Sequence, residues 1–271
     1  MNPTVRRTTL VSATAVAALT LASLAGPAAA GKKSKPACGI SYLPFVTGNM
    51  WTYEPVDPPI QLSETDNERL TKARQMNPPP PKQVVITVLS VESEKGGSAI
   101  TLEEKADTFT RKTVLHCTKK GLEVDPQSFF FAAEPGGGLG MTLTDVQREG
   151  SLPGSAGFRK GKSSTVSIKA GLERKPSEGT GAALGSGKIQ IERTVFPGIN
   201  ESVSTPAGEF RKATRVEFDL TGRAAVEPNI EKFYEIKIDW RGIFWFQNGV
   251  GLVQARNRSG LWYQLTAAET K

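Results

Sequence analysis

The sequence has very few of the residues on which most enzymes and metal proteins depend. Its 271 residues include one histidine, His116, and two cysteines, Cys38 and Cys117. A single histidine excludes a histidine-rich metal site, and any serine–histidine–acid arrangement would have to be built on that one position. His116 and Cys117 are adjacent, and adjacent strand residues point to opposite faces, so they do not form a nucleophile–base pair. We therefore predict a structural histidine, no catalytic residues, no metal site and no cofactor.

Carboxylates are plentiful, but they are not arranged in a recognisable motif. The pair Glu103-Glu104 is expected to face solvent or turns, because the carboxylate pairs of hydrolases are assembled from distant strands. The acidic cluster of Glu64, Asp66 and Glu68 lacks the central glycine and the terminal glutamate of a calcium loop. A secreted or periplasmic hydrolase that uses carboxylates in a sheet cleft is therefore kept as the alternative function.

Long apolar segments are also scarce, and the most apolar one lies at the amino terminus. It covers Leu10–Leu24, about 15 residues, whereas a membrane-spanning helix needs roughly 20. Arg6-Arg7 precede it and Ala28-Ala29-Ala30 follow it, which is the order of a secretory signal and its cleavage site. We predict a signal peptide over 1–30 and an exported, periplasmic or extracellular protein without a transmembrane span. The arginine pair leaves general secretion and twin-arginine export both open, with general secretion favoured.

Export bears on whether the two cysteines form a disulfide. In an oxidising compartment an even number of cysteines favours a disulfide, and we predict a bridge between Cys38 and Cys117. The bridge would tie the mature amino terminus, where 31–37 are expected to be flexible, to an interior strand, closing a loop of about 80 residues. The alternative is a pair of buried, unpaired thiols.

The formal net charge of +7 overstates how basic the folded protein is. Five of the basic residues lie in the signal or in the flexible start, namely Arg6, Arg7, Lys32, Lys33 and Lys35. Without them the charge is about +2, and the remaining lysines and arginines are interspersed with acids, which is typical of a solvated surface. We therefore expect no nucleic-acid partner.

One basic segment, Ala156–Ser163, fits the relaxed pattern of a phosphate-binding loop. A phosphate loop follows a buried strand and opens a helix. Here Ser164–Ile168 alternates polar and apolar residues, as a strand does. We interpret the segment as a basic turn.

Apart from one short polar stretch, the chain shows period-two alternation, β-branched residues and glycine or proline punctuation, which predicts an all-β protein. Residues 38–271 are expected to form a single domain. Strands are predicted over 84–91, 98–105, 109–117, 164–170, 188–195, 211–220, 233–240, 243–246, 251–255 and 261–266.

Turns and loops are predicted from the same punctuation. Trp240–Gly242, Gln247–Gly249 and Asn257–Gly260 are expected to be hairpin turns, which would make the carboxy-terminal region a meander. Exposed loops are expected near 55–81 and 171–187. Within the first loop, Ser63 is in position to cap one short helix over 64–75.

Aromatic side chains are concentrated near the two ends of the mature chain. They are the candidate ligand-binding residues: Trp51, Tyr53, Trp240, Trp245 and Trp262. Aromatic residues on a sheet either line a cleft or fill the core. Core filling is the favoured interpretation, and a cleft for an apolar ligand is the alternative.

Four segments together resemble a widespread group of exported bacterial β-rich proteins of unknown function. These segments are Phe45-x-x-Gly48-x-x-Trp51-Thr52-Tyr53, Val203–Phe210 with its Thr-Pro-Ala-Gly-x-Phe turn, Arg215-Val216-Glu217, and Phe244–Val253 with Gly-Val-Gly-x-Val. Phe246 replaces the usual tyrosine, and 121–187 has no counterpart. The resemblance implies a large, strongly curved antiparallel sheet, similar to the half-barrels of lipoprotein carriers, whose concave face can hold an acyl chain.

These observations predict a non-catalytic cell-envelope protein. Its curved sheet would bind an apolar or lipid-like ligand or would act structurally. Protein partners cannot be predicted from the sequence.

Overall fold

The computed structural model describes residues 40–75, 79–107, 109–118, 121–123, 141–152, 160–174, 186–229, 232–257 and 260–271. All of them belong to one compact unit, Ser34–Lys271. The described residues form one helix and twelve strands: β1 (Met50–Val56), α1 (Glu64–Arg74), β2 (Val84–Glu94), β3 (Gly97–Ala106), β4 (Thr110–Thr118), β5 (Gly121–Glu123), β6 (Met141–Glu149), β7 (Ser164–Arg174), β8 (Ser186–Thr205), β9 (Gly208–Asn229), β10 (Lys232–Gln247), β11 (Gly251–Arg256) and β12 (Trp262–Glu269).

The strands make a single antiparallel sheet in the order β5-β4-β3-β2-β1-β12-β11-β10-β9-β8-β7-β6. Consecutive strands are neighbours, as in a meander, except β5 and β6, which lie at the two ends of the strand order. The first and last strands pair at the centre from Met50↔Glu269 to Val56↔Trp262. The sheet therefore has an amino-terminal wing, β1–β5, and a carboxy-terminal wing, β6–β12. This confirms the predicted fold class of a large antiparallel sheet with one short helix.

Curvature brings the two wings around one core. Alternate residues of both wings point to the same side, here called the inner face, and join a single cluster that includes Ile86, Leu115, Ile168 and Phe218. Leu122 of β5 and Leu152, which follows β6, exchange two backbone hydrogen bonds of 3.2 and 2.9 Å. One flat sheet cannot bury both wings in the same cluster, so the sheet bends strongly, as the resemblance implied.

The β8–β9 hairpin extends past its neighbours and reaches the centre of the sheet. β11 pairs with β12 only over Gln254–Arg256. Beyond that ladder, the tip of the hairpin lies against β12: the Ala207 amide donates to the Leu265 carbonyl at 3.2 Å, and Gln264 Nε2 donates to the Ser204 carbonyl at 3.4 Å. The tip thus occupies part of the space that β11 leaves.

The predicted helix forms where expected. Ser63 is its N-cap, with a side chain that accepts a hydrogen bond from the Asp66 amide at 3.2 Å. Only Leu70 and Ala73 are buried, so α1 is held by few apolar contacts. The structure describes no helix that is long and apolar enough to cross a membrane.

One predicted turn is confirmed, a second is described only at its two ends, and a third is wrong. Gln247–Gly249 leads into the β10–β11 turn. Between β11 and β12 the Gly260 amide donates to the Asn257 carbonyl at 3.0 Å, whereas 258–259 lie outside the described residues. Trp240–Gly242, however, lies inside β10, which pairs with β9 without interruption there. A Cβ on Gly242 would lie 2.9 Å from the Phe244 ring, so this glycine provides room for an aromatic neighbour rather than a turn.

The loop predictions are partly correct. Residues 57–63 and 79–83 are irregular on either side of α1, but 55–56 belong to β1, 171–174 to β7 and 186–187 to β8, and 175–185 lie outside the described residues. Of the basic segment, residues 156–159 are also outside the described residues. Its described part agrees with the prediction, because Lys160 and Gly161 form a turn that leads into β7 and not into a helix.

Other predictions fall outside the described residues. These are the signal peptide over 1–30, the flexible start over 31–37, and Cys38. Cys117 is buried on β4 and is not a free cysteine. The Cys38–Cys117 bridge stays a prediction.

Candidate functional site

Two of the candidate ligand-binding aromatics, Trp51 and Tyr53, point to the inner face from β1. Trp51 Nε1 donates to the Val250 carbonyl at 2.6 Å, and the Tyr53 hydroxyl donates to the Leu252 carbonyl at 2.9 Å. Both side chains are almost fully buried, with exposures of 2% and 0%. Their polar atoms therefore bind the protein's own backbone.

The carbonyls that they bind lie where the β11–β12 ladder is missing. That ladder ends at Gln254↔Gln264, so Val250 and Leu252 have no strand partner on β12. A buried carbonyl without a hydrogen bond costs free energy. Trp51 and Tyr53 reach across β12 and replace the missing bonds, which explains why two large polar aromatics are needed on β1.

Aromatic packing fills the inner face near this point. Phe244 meets Phe218 edge-on at 4.9 Å between ring centroids, and Phe246 meets Tyr42 edge-on at 5.9 Å. Edge-to-face pairs at these distances are favourable beyond the area they bury. Burial raises the pKa of Tyr42 and of Tyr53 well above the usual value of tyrosine, so both phenols stay protonated at neutral pH.

The other two described candidates, Trp245 and Trp262, lie on the opposite, outer face. Their rings stack at 5.5 Å and 30°, and Trp245 Nε1 donates to Glu201 Oε2 at 2.7 Å. Both residues are buried. Gln254 lies between them in register and is itself only 3% exposed. Trp245 and Trp262 are thus part of the buried core although they lie on the outer face of the sheet.

Helix α1 is fixed to the sheet beside Trp262. Asp66 forms an ion pair with Arg256, which lies directly opposite Trp262. Partial burial by itself raises the pKa of the Asp66 carboxyl, but the hydrogen bond and the positive charge of Arg256 outweigh it, so the pKa is lowered. The carboxylate is therefore charged at neutral pH and anchors the first turn of α1.

The five aromatic candidates do not form one site. Trp51 and Tyr53 point to the inner face and Trp245 and Trp262 to the outer face, because register places the two pairs on opposite sides of β12. Trp240 lies on β10, but its side chain is outside the described residues. Sequence periodicity assigns faces within a strand, whereas it does not align the faces of strands far apart in the chain.

Sequence reasoning missed a buried charge on the inner face. Glu104 was expected to face solvent, and this is wrong: it is 6% exposed and pairs with Arg111 at 2.5 Å. Glu103, the adjacent residue, points to the other face. Arg193 of β8 is also buried, at 8% exposure. Charged residues are rarely buried unless they are paired, and alternation with Leu102 was the one signal that could have placed Glu104 inside.

The single histidine has a structural setting. His116 Nδ1 lies 3.1 Å from Glu94 Oε2, and both side chains are exposed. As predicted, Leu115 and Cys117 are buried whereas Val114 and His116 are not. In the part of the chain that the structure describes, no group of three or more histidine, cysteine or acidic residues is close enough to hold a metal ion.

Two open grooves lie on the strands of the carboxy-terminal wing and share Arg223 and Glu235. They have volumes of about 630 and 750 Å³. Most of their lining side chains are polar or charged, including Gln147, Lys169, Lys188, Gln190, Thr221, Lys237 and Asp239. Arg223 Nη1 lies 3.4 Å from Glu235 Oε1. The four candidate aromatics whose side chains the structure describes, Trp51, Tyr53, Trp245 and Trp262, are not among the residues that line these grooves.

No family model and no curated protein matches the chain. Two solved structures are similar to it. One is a "putative exported protein with YmcC-like fold" from Bacteroides fragilis, 14% identical over 85% of this chain and 100% of that one, with a TM-score of 0.45. The other is a "putative lipoprotein" from Parabacteroides distasonis, 14% identical over 85% of this chain and 99% of that one, with a TM-score of 0.42. At these values neither structure assigns a function to the chain.

Proposed function

We propose that this is an exported, non-catalytic cell-envelope protein whose curved sheet has a structural role. The observation that carries the proposal is the pair of hydrogen bonds that Trp51 and Tyr53 donate to the protein's own backbone. Both were candidates for ligand binding, and both bind backbone carbonyls of the protein itself. Side chains that satisfy buried backbone groups are costly to redirect to a ligand.

The absence of catalysis is proposed from the buried charges. A hydrolase of the carboxylate type needs two carboxyl groups about 5–10 Å apart across a substrate. Glu104 points inward but is neutralised by Arg111, and Glu103 lies on the other face. The inner-face carboxylate therefore fits a structural ion pair better than an acid or a nucleophile.

Export is proposed from the amino-terminal sequence. Intact-mass measurement of the protein from its own host, after separation of the cell fractions, tests it. We expect a mature chain that begins at Gly31 and is found outside the cytoplasm. A full-length cytoplasmic chain would contradict export.

A lipid-like ligand on the inner face is the second candidate, because most of the buried side chains on that face are apolar in both wings. Native mass spectrometry of the same protein separates the two functions. A structural protein gives only the mass of the chain, whereas a carrier retains an additional lipid mass. Detection of that mass would replace the structural proposal with the carrier.

A further inference from the structure

Two exposed apolar side chains stand close together on β8. Phe196 is 43% exposed and Ile199 is 70% exposed, although their neighbours Val195 and Pro197 are buried. Single exposed apolar residues are common on protein surfaces, but neighbouring ones mark interaction sites more often. These two residues are three positions apart on one strand, so they form a small apolar protrusion.

A β-bulge produces the protrusion. The β8–β9 register shifts between Pro197 and Asn200, and a bulge of this kind bends the strand and changes the direction of its side chains. The described pairing of β7 with β8 starts at Ser164↔Val195, so β8 continues past the β7 ladder. Phe196 and Ile199 are therefore held out by a rigid strand, not by a flexible loop.

A basic turn lies against the same segment. Lys160 and Lys162 are exposed on either side of Gly161, and a Cβ placed on Gly161 would be 3.6 Å from the Pro197 carbonyl oxygen. Neither lysine forms an ion pair with a carboxylate among the residues that the structure describes.

The acidic residue nearest in register is already neutralised. Glu217 lies opposite Phe196, but its carboxylate is 2.7 Å from Arg215. Glu201, two positions after Ile199, accepts a hydrogen bond from Trp245 Nε1 at 2.7 Å and offsets only one of the two lysines. The surface thus combines an apolar protrusion with an excess of positive charge, which is the combination that suits an anionic bilayer: basic residues are attracted to its surface and apolar side chains enter its interface.

We propose that Phe196, Ile199, Lys160 and Lys162 form a docking surface for membranes that contain anionic lipid. The surface explains the basic segment that resembled a phosphate loop and has no role in the fold's core. It is separate from the structural role proposed above, and it does not depend on where the protein is located.

Flotation of the purified full-length chain with vesicles tests the proposal. We expect binding to vesicles of phosphatidylglycerol and phosphatidylcholine, weakened by salt, and no comparable binding to phosphatidylcholine alone. Lys160→Glu with Lys162→Glu is expected to lower the partition coefficient at least about tenfold, since each basic residue near an anionic surface contributes about fivefold. Phe196→Ser with Ile199→Ser is expected to lower it by a similar factor.

The matched control is Ile60→Ser, because Ile60 is 59% exposed but lies in the loop before α1. It should bind like the wild type. The lysine variant changes only two exposed residues at a turn, so it should fold like the wild type. It therefore tests membrane binding even if the apolar variant does not fold. Equal binding to neutral vesicles, no binding to anionic vesicles, or binding that survives both double variants would overturn the proposal.

Discussion

Removal of the Tyr53 hydroxyl tests whether the inner-face aromatics are structural. Tyr53→Phe keeps the ring and its packing but deletes the 2.9 Å bond to the Leu252 carbonyl. That carbonyl is buried beyond the end of the β11–β12 ladder, so it loses its donor without gaining water. A buried group left in this way costs about 1–3 kcal/mol.

Urea denaturation followed by tryptophan fluorescence measures this cost. For a domain of this size each kcal/mol also lowers Tm by about 2–4 °C, and the slope of the urea transition should not change. The control is Thr214→Val, which removes a 2.8 Å bond to Asn200 that is exposed and therefore should cost less than about 0.5 kcal/mol.

A loss for Tyr53→Phe no larger than that of the control would refute the reasoning. It would mean that water or another donor satisfies the Leu252 carbonyl, so Tyr53 would again be available for a ligand. The same pair of variants therefore bears on stability and on the proposed function.

Three further predictions follow from the charged residues and the cysteines. Glu104→Ala should lower the free energy of unfolding, measured by urea denaturation, by about 2–3 kcal/mol. This is slightly below the usual cost of breaking a buried ion pair, because the partner Arg111 is partly exposed. An unchanged midpoint would show that the pair contributes nothing to stability. Asp66 has a folded-state pKa below its unfolded value. Its contribution to the stability of the folded state is therefore present above about pH 4 and is lost as the pH falls through the folded pKa. The protection of the α1 amides against hydrogen exchange, relative to their intrinsic rates at each pH, should fall on acidification in the wild type. In Asp66→Asn this protection should already be low at neutral pH, and identical protection in the two proteins would contradict the anchoring role. Non-reducing peptide mapping of exported protein should recover Cys38 and Cys117 in one linked peptide, and alkylation of both thiols without reduction would exclude the bridge.

Local features of the fold could be predicted because their causes are local. The capping of α1 by Ser63 depends on one hydroxyl and the amide three residues later. The alternation of Leu115 and Cys117 with Val114 and His116 depends only on the pleat of one strand. Such features need no knowledge of the neighbouring strands.

Errors arose where a distant strand decides the outcome. The segment at Gly242 was predicted to be a turn. It lies in a strand because Gly242 pairs with Phe218 of β9, and its missing side chain leaves room for the ring of Phe244. Glu104 was predicted to be exposed, but its strand face is set by the register with β2 and by Arg111 on β4. In both cases a long-range contact outweighs the local preference.

The amino-acid sequence by itself determined the all-β class, most of the strands, and the helix and its cap, because each depends on composition or on short spacings. Only the tertiary structure decided that β1 pairs with β12, that the β8–β9 tip reaches β12, and that the candidate aromatics separate onto two faces. These outcomes depend on register between segments more than 200 residues apart, as in the pair Val56↔Trp262, and register is a property of the assembled sheet rather than of any one strand.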